Sequence, residues 1–290
     1  MTADPGSLPA PGSRSLAGSV GRGRRWLADL LLAPVYRYYT SRLRHEIQSS
    51  TLPTHVAVIL DGNRRWASLS GLREPWAGHR AGANKLDELL DWCARLGIGQ
   101  VTVWALSNEN LARPELERVA LLDVVADKLE ALAVLHRDQS IRIRVVGRVD
   151  DLPERVRRSI EAVETATAQN DGLRLNIAVG YSGRDELVDA SRALVRHLVA
   201  EGVSPVTMAE HITGEALARH LYTAGDPDPD LIIRTSGEQR LSNFLLWQAA
   251  YSEFVYSTSR TFTGPRFASS ISCARCAATS SAIGVSGAEP

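Results

Sequence analysis

Cysteine is scarce in this chain: 290 residues carry three, Cys93, Cys273 and Cys276. So few, so unevenly placed, build no disulfide framework, and they fit a reducing cytoplasm. Net charge is missing as well, because 33 basic residues offset 33 acidic ones. No global field therefore asks for a nucleic-acid partner, and recognition of any anion has to be local. A long hydrophobic run is also absent. The most apolar stretch, Trp26 to Tyr36, is interrupted by Asp29 and Pro34 and falls well short of the roughly 20 residues that span a bilayer. No cleavage signal follows it.

What is present is apolar content of 44%, enough at this length for one large domain with tails. Residues 1–25, rich in Gly, Ser, Pro and Arg, read as a disordered tail. Residues 26–50 read as an amphipathic helical region. Arg22, Arg24 and Arg25 precede it, and Arg37, Arg42 and Arg44 lie at its far side. That pattern suits a helix packed on the domain or on a partner subunit, and it also suits peripheral contact with an anionic membrane surface.

From residue 51 to 254 apolar runs alternate with helical periodicity, the signature of a single α/β domain with a central, mostly parallel sheet covered by helices. Strands are expected near 55–61, 100–106, 141–147, 173–180 and 230–234, with helices over 78–96, 114–137, 152–169, 183–201 and 207–222. The first strand runs straight into chemistry: His55-Val56-Ala57-Val58-Ile59-Leu60-Asp61-Gly62-Asn63-Arg64-Arg65-Trp66. A carboxylate, a tight turn and two guanidinium groups at a strand's carboxyl end suit a magnesium-bridged diphosphate. Asp-Gly-Asn is also ordinary turn chemistry, so this segment alone fits a solvated helix start equally well. Two further polar clusters, Ser107 to Arg113 and Arg234 to Ser242, follow other apolar strands. Three such clusters on one sheet edge are hard to explain as loops alone.

Five ordered motifs resemble the cis-prenyltransferase family, whose best-known member is undecaprenyl diphosphate synthase. They are Asp61-Gly-Asn-Arg-Arg-Trp-Ala67, Gly78-His-Arg-Ala-Gly82, Ser107-Asn-Glu-Asn110 with Arg113-Pro114, Gly180-Tyr-Ser-Gly-Arg184, and Ile233-Arg-Thr-Ser-Gly-Glu-Gln-Arg-Leu-Ser-Asn-Phe-Leu-Leu-Trp-Gln248. Pro34 to Tyr39, with Arg42-Leu43-Arg44, is similar to short-chain actinobacterial members that make Z,E-farnesyl diphosphate. The resemblance implies condensation of isopentenyl diphosphate with an allylic diphosphate, geranyl or farnesyl, in a homodimer that uses Mg2+. A hydrophobic substrate tunnel goes with that activity.

By the same resemblance, Asp61 and Glu253 would be the metal carboxylates. Gly62, Asn63, Arg64, Arg65, Trp66, Arg73 and His79 would take the allylic substrate. Arg234, Arg240, Leu241 and Ser242 would take isopentenyl diphosphate, and Asn110, alongside Ser107, would have a role in proton removal. A neutral amide is a poor base, so the released diphosphate is an alternative acceptor. Asn108, Glu109, Leu111 and Arg113 complete the substrate-binding set. Leu111 stands where many relatives have an aromatic residue. The interval from Trp66 to His79 is one residue longer than in typical long-chain members, which bears on Arg73. Ala105 and Leu106 are expected to face the tunnel. A small Ala105 favours a longer product and the amino-terminal similarity a shorter one, and the reading leans to the shorter. A non-catalytic partner subunit is the competing reading, as is a long-chain synthase. Asp150-Asp151-Leu152-Pro153-Glu154 is read as a helix start and not as a metal motif.

After Phe254 the motif pattern breaks off, and residues 255–290 become rich in Ser, Ala and Thr. Ile271 to Ala277, read one base out of phase with suitable codons, gives Asp-Phe-Leu-Arg-Ala-Leu-Arg, a helical sequence of the family's kind. A frameshift between about Val255 and Thr263 is therefore expected. It would remove a terminal Arg-x-Gly that, in the family, reaches the neighbouring subunit's site. On that reading Cys273 and Cys276 are no metal or redox pair.

Overall fold

Consecutive buried residues from His55 to Ile59 make β1 (His55–Ile59) a strand enclosed on both faces. Val56 and Val58 pack into one core cluster while Ala57 and Ile59 enter another, as the two-residue period of a strand requires. The computed structural model describes residues 52–69, 71, 72, 74–136 and 141–256. Arg73, the tail 1–25, the region 26–50 and the segment beyond Tyr256 lie outside the described residues.

The chain continues through α1 (Asn63–Leu69), α2 (Pro75–Leu96), β2 (Gln100–Ser107), α3 (Asn108–Leu111), α4 (Glu115–Leu135), β3 (Ile141–Val146), α5 (Glu154–Thr167), β4 (Leu173–Tyr181), α6 (Gly183–Ala200), α7 (Met208–His211), α8 (Gly214–Ala218), β5 (Leu231–Arg234) and β6 (Glu253–Tyr256). The six strands form one sheet in the order β3-β4-β2-β1-β5-β6, and every described pair is parallel. Chain from β1 leads to β2 on one side, while chain from β5 leads to β6 on the other. The β1–β5 boundary is thus a topological switch point, with a crevice outside the carboxyl ends of the two strands.

Three readings of the sequence need correction. The expected single helix over 207–222 is broken, because the Thr213 hydroxyl accepts from Ala216 N at 3.1 Å and starts α8 afresh. A sixth strand, β6, was missed: four residues on the sheet edge, only partly buried, give no continuous apolar signal. Val255 and Tyr256, assigned to the aberrant tail, belong to that strand. Asp150-Asp151 does precede a helix, with Pro153 directly before α5.

The larger core cluster joins β1, β2, β3 and β4 to α2, α4 and α5 through Leu89, Val103, Leu129, Val163 and Leu175, each nearly or fully buried. The other face is covered around Tyr181, Phe244 and Leu245. Trp104 stacks on Phe244 with ring centroids 5.1 Å apart and meets Tyr181 edge to face.

Candidate active site

The crevice between β1 and β5 is closed by hydrogen bonds that tie the two strand ends together. Thr235 Oγ1 receives a hydrogen bond from Asp61 N at 3.0 Å and donates to Asp61 O at 2.8 Å. Arg234, 5% exposed, reaches over Asp61 and donates to its Oδ2 from Nε at 3.2 Å and from Nη2 at 2.6 Å. Its remaining donors go to Ser236 Oγ, the Arg240 carbonyl, Ser242 Oγ and Glu238 Oε2. Arg240 Nη2 also sits 2.5 Å from Glu238 Oε2. Burial pushes the Asp61 carboxyl upward, but hydrogen bonds from Arg234 and from Gly62 N outweigh it and hold the group below its ordinary value. Asp61 is therefore an anion at neutral pH.

Gly62, at φ +92°, turns the chain from β1 into α1. The next helix approaches so closely that a Cβ at Gly78 would stand 2.1 Å from the Asn63 carbonyl oxygen, and one at Gly82 2.6 Å from Asn63 Oδ1. This is the physical content of the Gly78-His-Arg-Ala-Gly82 motif: two glycines let α2 lie on the start of α1. Asn63 Nδ2 donates to the Leu60 carbonyl at 3.2 Å, and Arg65 Nη2 donates to the Ser236 carbonyl at 2.9 Å. Trp66 is half-buried on α1. His79 follows Gly78 with Nε2 buried and no hydrogen-bond partner. Burial, helped by the Arg113 and Arg64 charges, lowers its pKa to about 4, so the ring is neutral at pH 7.

The second polar cluster joins the first through Glu117. Its Oε1 takes Arg113 at 2.7 Å and Arg64 at 3.4 Å. Ser107 Oγ accepts from Asn110 N at 3.3 Å and starts α3, which carries Asn108, Glu109, Asn110 and Leu111. Asn108 Nδ2 donates to Asp185 Oδ2 at 2.5 Å. Glu109 is exposed, whereas Leu111 packs against the larger core.

The third cluster is held by Gly180-Tyr-Ser-Gly-Arg184. Ser242 and Asn243 take left-handed conformations, at φ 54° and 71°. Asn243 supports them by donating to Ser182 Oγ at 2.8 Å and accepting from Arg184 N at 2.9 Å. A Cβ at Gly183 would lie 2.8 Å from Leu246 Cγ, so only glycine fits beneath this loop. Leu241 packs on the second core cluster.

Glu253 is not brought to Asp61 within the chain. Glu253 pairs with Leu231 at the start of β5, whereas Ile59, just before Asp61, pairs with Arg234 at its end. Those register positions stand about 10 Å apart along the sheet at a rise of roughly 3.3 Å per residue. Within one chain, Asp61 and Glu253, the two expected metal carboxylates, therefore do not converge on one ion. Asp61 stands as the one carboxylate of the pair at the crevice, and no cluster of three or more His, Cys, Asp or Glu suited to a metal occurs among the described residues.

Beside the crevice an open cavity of about 640 Å³, mouth included, runs between β2, α2 and α4. Asn63 and His79 line it, together with Leu86, Trp104, Leu121, Val124, Val125 and Leu129. Ala105 and Leu106 line it too, as expected from strand position. Ala105 sits in a register irregularity of β2 between Trp104 and Leu106, and is solvent-accessible although its strand is internal to the sheet. Sequence reading missed Glu117, Glu238, Thr235, Trp104 and Lys128. The first three act as hydrogen-bond or ion-pair partners of recognised residues; Thr235 and Glu238 lie within the 233–248 motif but were given no role, and Glu117 lies outside every motif. The last two become visible only when β2 and α4 face each other.

An all-parallel sheet with a carboxylate and guanidinium cluster beside an apolar cavity is an arrangement that suits an anionic head joined to a hydrocarbon tail. The family described as "Putative undecaprenyl diphosphate synthase" matches residues 59–270. Isoprenyl transferase 1 of Corynebacterium diphtheriae is 47% identical over 80% of this chain and 86% of its own length. A (2Z,6E)-farnesyl diphosphate synthase of Thermobifida fusca is 48% identical over 78% and 88%. The crystal structure of lavandulyl diphosphate synthase from Lavandula x intermedia with dimethylallyl diphosphate superimposes with a TM-score of 0.71 at 33% identity, covering 78% of this chain and 96% of that one. The chain belongs to the undecaprenyl diphosphate synthase family of cis-prenyltransferases. The family match extends past residue 254, where the motif pattern was read to stop.

Proposed function

We propose that this chain elongates an allylic diphosphate, geranyl or farnesyl, with isopentenyl diphosphate to a Z-configured product, Z,E-farnesyl diphosphate being the favoured length. The observation that carries this reading is a shared boundary: Asn63 and His79 line the apolar cavity and also stand within the cluster of Arg64, Arg113 and Asp61. A diphosphate on the arginines would thus leave its prenyl tail at the mouth of the cavity.

Arg64 and Arg65 would bind the allylic diphosphate, with the neutral His79 ring available to accept or donate one hydrogen bond. Arg240, 67% exposed, and Ser242 would hold isopentenyl diphosphate, with the buried Arg234 bracing both. In the reaction the allylic carbon–oxygen bond breaks and diphosphate leaves with the electron pair. The isopentenyl double bond then forms the new carbon–carbon bond and a proton is lost. Asn110 is a poor base, so it orients the reacting tail, and the departing diphosphate takes the proton.

Asp61 fits Mg2+ because it is an exposed-edge anion whose other coordination positions diphosphate oxygens can fill, the arrangement this cation favours. When bound there, the cation would neutralise charge on the leaving group. A homodimer is supported by the family resemblance alone, and support for peripheral membrane contact is the arginine-flanked region 26–50. No helix among the described residues is long and apolar enough to cross a membrane.

Incorporation of radiolabelled isopentenyl diphosphate in the presence of Mg2+ and geranyl or farnesyl diphosphate tests the reading. Product that disappears in Asp61→Asn supports it. No product from this chain or from one with the restored carboxyl-terminal frame would favour a non-catalytic partner subunit.

A further inference from the structure

Beyond the polar mouth formed by Asn63 and His79, the cavity lining is apolar except at one place. Lys128 is the one charged side chain among its described lining residues. On α4 the lining positions Leu121, Val124, Val125 and Lys128 follow helical spacing, so they share one face. α2 presents His79 and then Leu86 in the same way, with Asp87 directly after. Both helices start at the carboxyl edge of the sheet and run toward its amino edge. From His79 to Asp87 the axis advances by about 12 Å at 1.5 Å per residue. There the two helices are joined: Lys128 Nζ stands 2.6 Å from Asp87 Oδ1, with Lys128 14% and Asp87 44% exposed. The aliphatic stem thus covers the cavity wall while the ammonium reaches out to a carboxylate facing solvent, as long cationic side chains do.

We propose that the Lys128–Asp87 ion pair is the end-stop of the hydrocarbon cavity and holds this chain to a short product. The proposal rests on the chain-elongation reading. An isoprene unit advances a chain by four carbon–carbon bonds of about 1.5 Å, roughly 4 to 5 Å in all. Two to three units beyond His79 therefore meet the pair. A longer tail has to push the lysine stem off the cavity wall and break its 2.6 Å pair with Asp87, which opposes the gain from burying more hydrocarbon. Ala105, being small, sets no limit of its own, so the limit falls to α4.

The test is binding of geranyl, farnesyl and geranylgeranyl thiolodiphosphates, which resist ionisation, to the full chain by calorimetry, alongside Lys128→Met and Lys128→Leu. Affinity is expected to rise from geranyl to farnesyl and then stop rising. Both variants should bind the geranylgeranyl analogue about tenfold more tightly or better, since each added carbon is then buried without displacing a charge. Geranyl affinity should not change. The products of any active preparation should lengthen in parallel. Affinity that keeps climbing with length in the unmodified chain overturns the proposal, as does an unchanged length profile in both variants. If no analogue of any length binds, the elongation reading itself fails and the proposal falls with it.

Discussion

Arg234 and Asp61 meet across the switch point of the sheet through two hydrogen bonds to one carboxylate oxygen, Nε at 3.2 Å and Nη2 at 2.6 Å of Oδ2. Because β1 and β5 are parallel neighbours with Ile59 opposite Arg234, register brings the two strand ends together, and the Thr235 hydroxyl and the turn at Gly62 place Asp61. Every nitrogen of this guanidinium is engaged by the protein, on five residues in all. It therefore braces the crevice, and under the proposed function the exposed Arg240 is the arm for a phosphate.

Replacing Arg234 by Lys tests that division of labour. A compact ammonium cannot reproduce a fork spread over Asp61, Ser236, Glu238, Ser242 and the Arg240 carbonyl. Partial loss of a buried ion pair of this kind costs about 3 kcal/mol. The variant should unfold at distinctly lower urea and lose at least a hundredfold in condensation rate. Arg240→Lys, altered at an exposed head, should keep its urea midpoint and raise the Michaelis constant for isopentenyl diphosphate.

Glycines 78 and 82 make a second prediction. In Gly78→Ala the new Cβ would lie 2.1 Å from a backbone oxygen, which cannot rotate away, whereas in Gly82→Ala it meets the Asn63 side-chain amide at 2.6 Å. Gly78→Ala should therefore separate α1 from α2 and weaken geranyl diphosphate binding more than tenfold. Gly82→Ala should do so less, because Asn63 can shift. Calorimetry on both variants, with far-ultraviolet circular dichroism as a check on folding, reads the difference.

The sheet was legible because parallel strands buried on both faces announce themselves as apolar runs: Val56 to Ile59, Ile177 to Val179, Leu231 to Ile233. β6 was not legible, since an edge strand of four residues has no such run. Among site residues, those on the carboxyl ends of β1, β2 and β5 gathered as expected. Glu253 did not, because the register of an unrecognised strand decides which edge it occupies. Lys128 was hidden for a related reason: on a helix with other charged residues, only the facing of α2 and α4 tells a cavity-lining lysine from a solvated one.

His79 predicts an acid-sensitive fold. Its folded pKa of about 4 lies below the ordinary 6.5, so the unfolded chain binds the proton first as pH falls. Stability is full above the unfolded value, declines as pH drops from about 6.5 towards 4, and loses up to roughly 3 kcal/mol through this group. His55, buried against Thr102 and the Pro227 carbonyl and also lowered by burial, adds to the same trend. His79→Gln should flatten the curve between pH 4 and 6.5 without removing the His55 contribution. Urea midpoints measured at half-unit pH intervals decide it, and identical slopes in the two proteins would contradict the assignment.

The carboxyl-terminal segment gives the last prediction. The proposed allylic subsite is built from α1, α2 and α4, all within residues 63–135, whereas the proposed isopentenyl subsite depends on Arg240, Ser242 and a basic terminus contributed by a neighbour. A chain ending in the Ser-, Ala- and Thr-rich sequence should therefore bind geranyl thiolodiphosphate normally yet condense slowly and dimerise weakly. Recoding the segment beyond Thr263 in the alternative phase should restore turnover by at least a hundredfold and shift sedimentation towards the dimer, with allylic affinity unchanged. Sequencing of the coding region must also find one phase that yields the restored helix. Equal turnover from both chains would show that the terminal segment supplies no phosphate contact, and the clamp would then consist of Arg240 and Ser242 alone.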